Sequence, residues 1–473
     1  MAPAQEALGA ARVSGTLDPN GSARRVVSVV QDQLQSAAPP DAGHGKRLPR
    51  PLRLLGERLA SNLRDPGTAL PVVLIAAFVV RVIWLDLPKN SLIFDEAYYV
   101  NAARILLGWT VEPGAHYAGA TAGLDPNTEH PPFGKLILAL SMQVFGDNGL
   151  GWRIPSVIAG MAALGAVYGI VRAAGESAWL AILAVAFLAF DNLTFVHGRI
   201  GTLDMLVLAP ILFGAWLALR ERWVLAGVFM ALGMLVKLTA IYGLLAVLIL
   251  LAIRILMRWR NERRIAVADL RPGITIVVVS VGLFLAGLWA LDSRYSTYTS
   301  PIAHVAHMVE YGANLKSPVD HAGVCTTTDS APWEWPFNEC QITYLRVDIT
   351  VRSGTTIVSK LPTVDFRGAL NPLLAGAIPL AILFATWLAW RTRNRLAQWS
   401  VAWAAANYLP YVVLAIVNHR ITYIYYFLPV IPAIAIAVAI LLLRSGLPRF
   451  VLWGFVVAYA VGFAAYFPFR QIP

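Results

Sequence analysis

Charge is what this sequence has least of. Only 14% of its residues are Asp, Glu, Lys or Arg, against 58% hydrophobic, and the mean hydropathy is +0.62. That balance excludes an ordinary soluble domain, which needs polar surface to stay in water. There is no Gly-rich nucleotide loop and no zinc-protease signature, so chemistry on a soluble nucleotide has no motif to rest on. No internal repeat is visible, which counts against a transporter built from repeats. Cysteine is nearly absent, with two in the whole chain. No secretory signal pattern is expected, because the first apolar run begins only near Thr68. The net charge of +11 in so apolar a chain reports membrane orientation and contact with anionic lipid, so no nucleic-acid partner is expected.

What is present is a series of apolar runs, near 68–86, 154–171, 178–196, 203–219, 223–236, 238–257, 274–291, 369–390, 398–417, 424–443 and 450–467. Each is close to the ~20 residues that cross a bilayer, which implies an all-α polytopic membrane protein with about eleven transmembrane helices. A further run at 133–145 is short for a span and reads as an interfacial or re-entrant helix. Arginine placement supports that reading. If 133–145 does not cross and the N-terminus is inside, then Arg172, Arg220, Arg222, the stretch 254–264, the stretch 391–395, Arg444 and Arg449 all fall inside. The expected topology is N-inside and C-outside. Two long outer loops result, at 87–152 and 292–368. Residues 1–66, rich in Ala, Pro, Ser and Arg, read as a disordered basic cytoplasmic tail, in which 46–64 either forms an interfacial helix or is simply solvated. The rest divides into 67–291, 292–368 and a C-terminal four-helix module, 369–473.

Some charges break the pattern. Arg153, Arg199, Lys237, Arg367 and Arg420 sit at outer span ends. Such cations either snorkel to headgroups or share an anionic ligand. The stretch "FDEAYYV" (94–100) places Asp95 and Glu96 at the bilayer edge, as helix-start acids or as a general base facing an activated phosphate donor. In "DPNTEHPPFGK" (125–135), Asn127 or Thr128 is a candidate helix cap. Lys135 then lies about one turn into the helix, near free N–H groups suited to phosphate. "HGRIGTLDM" (197–205) gathers His197, Arg199 and Asp204, and Asp204 is a candidate partner for Arg199. Glu129 and His130 form a weak candidate pair for a divalent metal, with no metal requirement expected. His304 and His307 read as a solvated helix face. Cys325 and Cys340 both fall in the late outer loop, on the oxidising side, and are expected to form a disulfide.

Taken in order, "FDEAYYV", "EHPPFGK", "WRIPSVIAG", "GRIGTLDM", "LVKLTAIYG", "APWEWPF" and "RITYIYYFLPVIPA" resemble the bacterial, actinobacterial-type branch of the protein O-mannosyltransferases, membrane glycosyltransferases of GT-C fold. The resemblance runs over most of 68–473. It implies inverting transfer of mannose from polyprenyl-phosphate mannose to Ser or Thr hydroxyls of secreted proteins, at the extracytoplasmic face of the cell membrane. It implies Asp95 as catalytic base, with Glu96 orienting the site. Arg153, Lys135, Lys237 and Arg420 are implied near the donor phosphate, with Glu129, His130, Arg199 and Asp204 in support. The secretion translocon stays open as a partner. The late outer loop is too short for the MIR domain of eukaryotic members. Glu129 stands where those members show Asp, and Tyr425 where the late motif commonly has His. Other readings stay open: a related GT-C transferase using another lipid-linked sugar or a lipid or glycan acceptor, a transporter, or a non-catalytic assembly protein.

Overall fold

Helix starts along the chain are marked by short polar side chains that accept hydrogen bonds from the first free amides. Asn148 accepts from Leu150 N and Gly151 N. Ser177, Asp191, Asn371 and Asn394 do the same for Leu180, Thr194, Leu373 and Ala397. In an apolar medium these caps matter more than in water, because an orphan amide has no solvent to turn to. A computed structural model describes residues 65–470, apart from 264–265, 318–324, 326–327 and 354–355. The expected tail over 1–66, with its stretch at 46–64, lies almost wholly outside the described residues.

The helices in order are α1 (Pro66–Val82), α2 (Glu96–Leu106), α3 (Phe133–Phe145), α4 (Gly149–Ala173), α5 (Ala178–Ala189), α6 (Asn192–His197), α7 (Leu203–Leu219), α8 (Trp223–Val236), α9 (Ile241–Glu262), α10 (Val267–Tyr295) and α11 (Pro301–Asn314). After strands β1 (Ile342–Ser353) and β2 (Thr356–Gly368) come α12 (Pro372–Arg391), α13 (Arg395–Asn418), α14 (Ile431–Arg444) and α15 (Arg449–Ala465). Among the described residues, six helical stretches are long and apolar enough to cross a membrane, and six further apolar helices are shorter. Each apolar run of the sequence has its helix, and the short run at 133–145 is α3. The run at 178–196 is broken in two, because Asp191 caps α6 and also accepts from Asn371 N.

Leu70–Tyr344 and Arg367–Phe467 form one compact unit. Helix α4 packs along α7, and α7 along α8. The C-terminal helices join the same unit, with α14 against α5 and α13 against α9. Helix α14 is buried along most of its length, whereas α10 and α15 expose Ile274, Val278, Trp289, Phe450, Trp453 and Val461. Apolar faces of that extent need lipid around them, and the chain is a membrane protein. One end of the unit gathers Arg172, Glu176, Asn394 and Arg444, with Glu176 bonded to both Asn394 and Arg444.

The all-α expectation needs one correction. β1 and β2 pair as a two-stranded sheet inside the late outer loop. The alternating, β-branched "ITYLRVDITV" carries that signal. Residues 345–366 belong to a smaller unit. In it Asp365 N bonds to Pro468 O at 2.8 Å, and Phe366 meets Phe469 edge-on.

Cys325 and Cys340 form a disulfide, 15 residues apart. Closing a loop of that size stabilises by about 3 kcal/mol on chain entropy. The double variant Cys325→Ser/Cys340→Ser should therefore melt at lower temperature in detergent. A reducing agent should bring the wild type down to the same midpoint and leave the variant unmoved.

Candidate active site

Two adjacent carboxylates at the start of α2 have opposite environments. Glu96 is fully buried. Its Oε1 accepts from Arg153 Nε at 2.9 Å and from Gly201 N at 2.7 Å. Its Oε2 accepts from Ile93 N at 2.7 Å and from Arg153 Nη2 at 3.0 Å. Arg153, on α4, spends the rest of its guanidinium on the carbonyls of Leu85, Leu87 and Ser91. Gly201 is needed where it is, since a Cβ there would press on the Trp152 carbonyl. The pair fastens the loop 85–96 to α4 and to the turn before α7. Every donor and acceptor is used, which is the condition under which a buried ion pair is tolerable.

Asp95 is the reverse case. It stands at the N-cap position of α2, yet its side chain makes no capping hydrogen bond. Its carboxylate accepts no other hydrogen bond among the described contacts. It is half-buried and open to the site. Burial, reinforced by the nearby Asp204 carboxylate and opposed by Lys237, pushes its pKa up to about 7. A carboxylate with that pKa and free lone pairs suits proton abstraction near neutral pH.

Around Asp95 the site is built from five segments of the chain. Asp204, in the first turn of α7, holds Lys237 Nζ at 3.1 Å through Oδ1 and His197 Nδ1 at 3.2 Å through Oδ2. Lys237 stands in extended backbone at the break after α8. Its ammonium lies 5.7 Å from the Tyr425 ring and 5.9 Å from the Tyr426 ring. Arg420 donates to Gly312 O at 2.7 Å, and its guanidinium lies 5.8 Å from the same Tyr426 ring. Lys237 and Arg420 thus converge on Tyr426, and the Asp95 carboxylate lies within electrostatic reach of Lys237. His197 Nε2 pairs with the Tyr344 hydroxyl at 2.9 Å.

The other candidates fall elsewhere. Arg199 does not pair with Asp204. It donates to the carbonyls of Val80, Ile83 and Trp84 at the C-terminal end of α1, where a cation meets the negative end of the helix dipole. Lys135 is fully buried and paired with Asp125 at 2.6 Å. It also donates to the carbonyls of Asn127 and His130. It therefore folds the 125–132 loop onto α3 and offers no free N–H to a phosphate. Neither Asn127 nor Thr128 caps α3, whose N-cap is Pro132. Asn127 instead donates to Tyr117 and Glu129. Arg153, like Lys135, is already saturated. Glu129 is held by Asn127 at 2.6 Å, with its carboxyl pushed up by burial. His130 faces Tyr99, and burial together with Lys237 and Lys135 holds its pKa well below the ordinary histidine range. Among the described residues no group of three His, Cys, Asp or Glu is arranged around a metal position. His304 is no solvated residue. It is buried between Asp292 and the Thr128 carbonyl, tying α10 and α11 to the first loop.

Three contributors were missed in the sequence: Tyr344, Tyr426 and the ring of Phe94. The crowding of aromatics in "TYIYYF" was the available signal for Tyr426. Nothing local marks Tyr344.

Residues 129–306 match the family described as dolichyl-phosphate-mannose-protein mannosyltransferase. The chain is 23% identical to a polyprenol-phosphate-mannose–protein mannosyltransferase of Corynebacterium glutamicum, over 78% of this chain and 81% of that protein. A Mycobacterium tuberculosis protein of the same name is 32% identical over 133 residues, 28% of this chain and 24% of that protein. Among solved structures, the Saccharomyces cerevisiae protein O-mannosyltransferase Pmt1–Pmt2 complex bound to its sugar donor matches with a TM-score of 0.62 at 10% identity. That match covers 86% of this chain and 91% of that one, and it supports the shared GT-C fold.

The two acids should respond differently to substitution. Arg153→Ala leaves the Glu96 charge buried and unpaired, at a cost of about 3–5 kcal/mol, and should lower the melting midpoint sharply. Asp95→Asn removes a charge that no hydrogen bond holds, and should leave the midpoint unchanged or raise it. Thermal unfolding of both variants in the same detergent checks the contrast.

Proposed function

We propose that the chain is a protein O-mannosyltransferase of GT-C fold, which transfers mannose from polyprenyl-phosphate mannose to Ser or Thr hydroxyls of secreted proteins, with inversion. The observation that carries the assignment of roles is the unpartnered Asp95 carboxylate beside a saturated Glu96. Asp95 takes the proton of the acceptor hydroxyl. The hydroxyl oxygen forms the new bond to sugar C1 from the face opposite the phosphate. The C1–O bond to phosphate breaks, and polyprenyl phosphate leaves with the electron pair. Lys237 and Arg420, with the Tyr426 ring between them, stabilise the charge gathering on the phosphate. These side-chain cations supply the positive charge the scheme calls for, with no metal in it. Glu96 and Arg153 act at one remove, by holding the loop that carries Asp95.

The site lies at the bundle end opposite Arg172 and Arg444. With the arginine-rich end in the cytoplasm, the reaction occurs on the extracytoplasmic face of the cell membrane. That side meets secreted chains and a donor whose lipid stays in the bilayer.

The test is transfer of labelled mannose from polyprenyl-phosphate mannose to a Thr-containing peptide by purified protein. Asp95→Asn should lower turnover by about 10²–10⁴-fold while donor binding persists. In the wild type, kcat/KM should rise with pH and reach half its plateau near pH 7, since the base works only when ionised and its pKa is raised to about 7. Lys237→Ala and Arg420→Ala should each weaken donor binding. Full transfer by Asp95→Asn would refute the base assignment. A folded wild type that binds no donor would refute the function.

A further inference from the structure

Phe94 comes immediately before the unpartnered carboxylate, and its backbone has φ of 55°. A residue with a Cβ adopts that left-handed conformation only when its surroundings impose it, at a cost of about 1–3 kcal/mol. The surroundings are visible. The Phe94 ring is stacked on Tyr344, with centroids 4.3 Å apart and an interplanar angle of 26°. Its other contact is edge-on to Tyr425 at 5.4 Å. Tyr344 lies at the start of β1 and is 2% exposed.

The Tyr344 ring is itself fixed at its far end. Its hydroxyl meets His197 Nε2 at 2.9 Å, and His197 Nδ1 meets Asp204 at 3.2 Å. Asp204 in turn holds Lys237. Gly368 leaves the room for this ring, because a Cβ there would overlap both the Tyr344 hydroxyl and its ring carbon. A residue serving only to fill volume would need neither the bonded hydroxyl nor the space that Gly368 keeps clear.

We propose that Tyr344 is a positioning residue for the transfer reaction, its ring holding Phe94 in the left-handed conformation and so aiming the Asp95 carboxylate into the site, while its hydroxyl anchors that ring to the His197–Asp204–Lys237 chain. This rests on Asp95 being the base. It makes the late outer loop part of the catalytic apparatus even though Tyr344 contributes no group to the substrate. Loop and base are joined by one aromatic stack and one hydrogen bond.

The experiment compares wild type with Tyr344→Leu, Tyr344→Phe and Gly368→Ala in the transfer assay. Turnover and donor KM are measured separately and as a function of pH. The charged and titratable groups facing Asp95 are Asp204, Lys237, Tyr98, Tyr99, Tyr344, Tyr423 and Tyr425. Gly368→Ala leaves all of them in place, and the Tyr344 variants remove only the Tyr344 phenol, a loss that Tyr344→Phe and Tyr344→Leu share. Tyr344→Leu should lower kcat by about 100-fold, the effect of a misplacement near 1 Å, with donor KM within about 3-fold of wild type. Its acidic limb should move to lower pH, because water admitted beside Phe94 relieves the burial that raises the Asp95 pKa. Gly368→Ala displaces the ring without altering it, and should show the same pattern more weakly. Tyr344→Phe keeps the stack and should lose only about 5- to 10-fold, the worth of one hydrogen bond.

Wild-type kcat and an unmoved limb in Tyr344→Leu would overturn the proposal. So would loss of donor binding in step with kcat, which would make Tyr344 a donor contact. If Tyr344→Leu does not fold, Gly368→Ala and Tyr344→Phe decide on the same criteria. Asp95→Asn runs in parallel: if it keeps full activity the base assignment falls, and if it is inactive while Tyr344→Leu is normal, the positioning role alone falls.

Discussion

Everything around the site depends on the buried pair between Glu96 and Arg153. One carboxylate and one guanidinium gather the carbonyls of Leu85, Leu87 and Ser91 and the amides of Ile93 and Gly201. A loop leaving a membrane helix has many backbone groups to satisfy and little water to satisfy them. The pair does this at one point, and the same point fixes where α2 begins. Asp95 inherits its position from that start. It sits one residue before a saturated carboxylate and is left without a hydrogen-bonded partner as a direct result.

That division between adjacent acids gives the pair of residues its meaning. Two ionised carboxylates side by side in a half-buried site would repel each other. Here Glu96 is neutralised by Arg153, so the charge near Asp95 that matters is that of Asp204. Asp204 is in turn shared between Lys237 and His197. Burial raises the Asp95 pKa, Asp204 adds to the rise, and Lys237 stops it near neutrality. A base close to the working pH follows from this balance of three terms, with no single one setting it.

Much of this was legible in the sequence because membrane helices are written in long apolar runs, and each run found its helix. The acid pair was legible for the same reason, since charge is scarce and conspicuous there. The partners of the charges were not. Arg153 and Arg199 look alike in sequence, as cations at span ends, and Lys135 looks like a cation at a helix start; all three turn out to be consumed by backbone carbonyls and buried acids. Span position tells that a cation needs a partner; it does not tell whether the partner is a ligand or the protein's own chain. Asp204 and Lys237 lie 33 residues apart and meet only because α7 and α8 pack as a hairpin. Tyr344 comes from a β-strand in a loop whose interest in sequence was chiefly its shortness. Its role depends on three contacts with residues 147 or more positions earlier in the chain or across the sheet, and no local pattern encodes that.

The placement of the charges also bears on the direction of the proposed reaction. In the proposed reaction Asp95 starts with a negative charge beside Asp204, and the donor phosphodiester brings one to the side of Lys237 and Arg420. Afterwards Asp95 is neutral and the phosphate carries both. In that scheme one negative charge moves from a position near a carboxylate to a phosphate held by side-chain cations. In a site with little water that displacement is favourable, because Coulomb terms are weakly screened there. Lys237 lies between the two positions and is already bound to Asp204, so it holds its place while the charge passes. Arg420 is held likewise, by the Gly312 carbonyl and by Tyr426. A phosphate carrying both charges holds the proton on Asp95, so the scheme favours its release only after the phosphate has left, when the site's excess negative charge has gone with it.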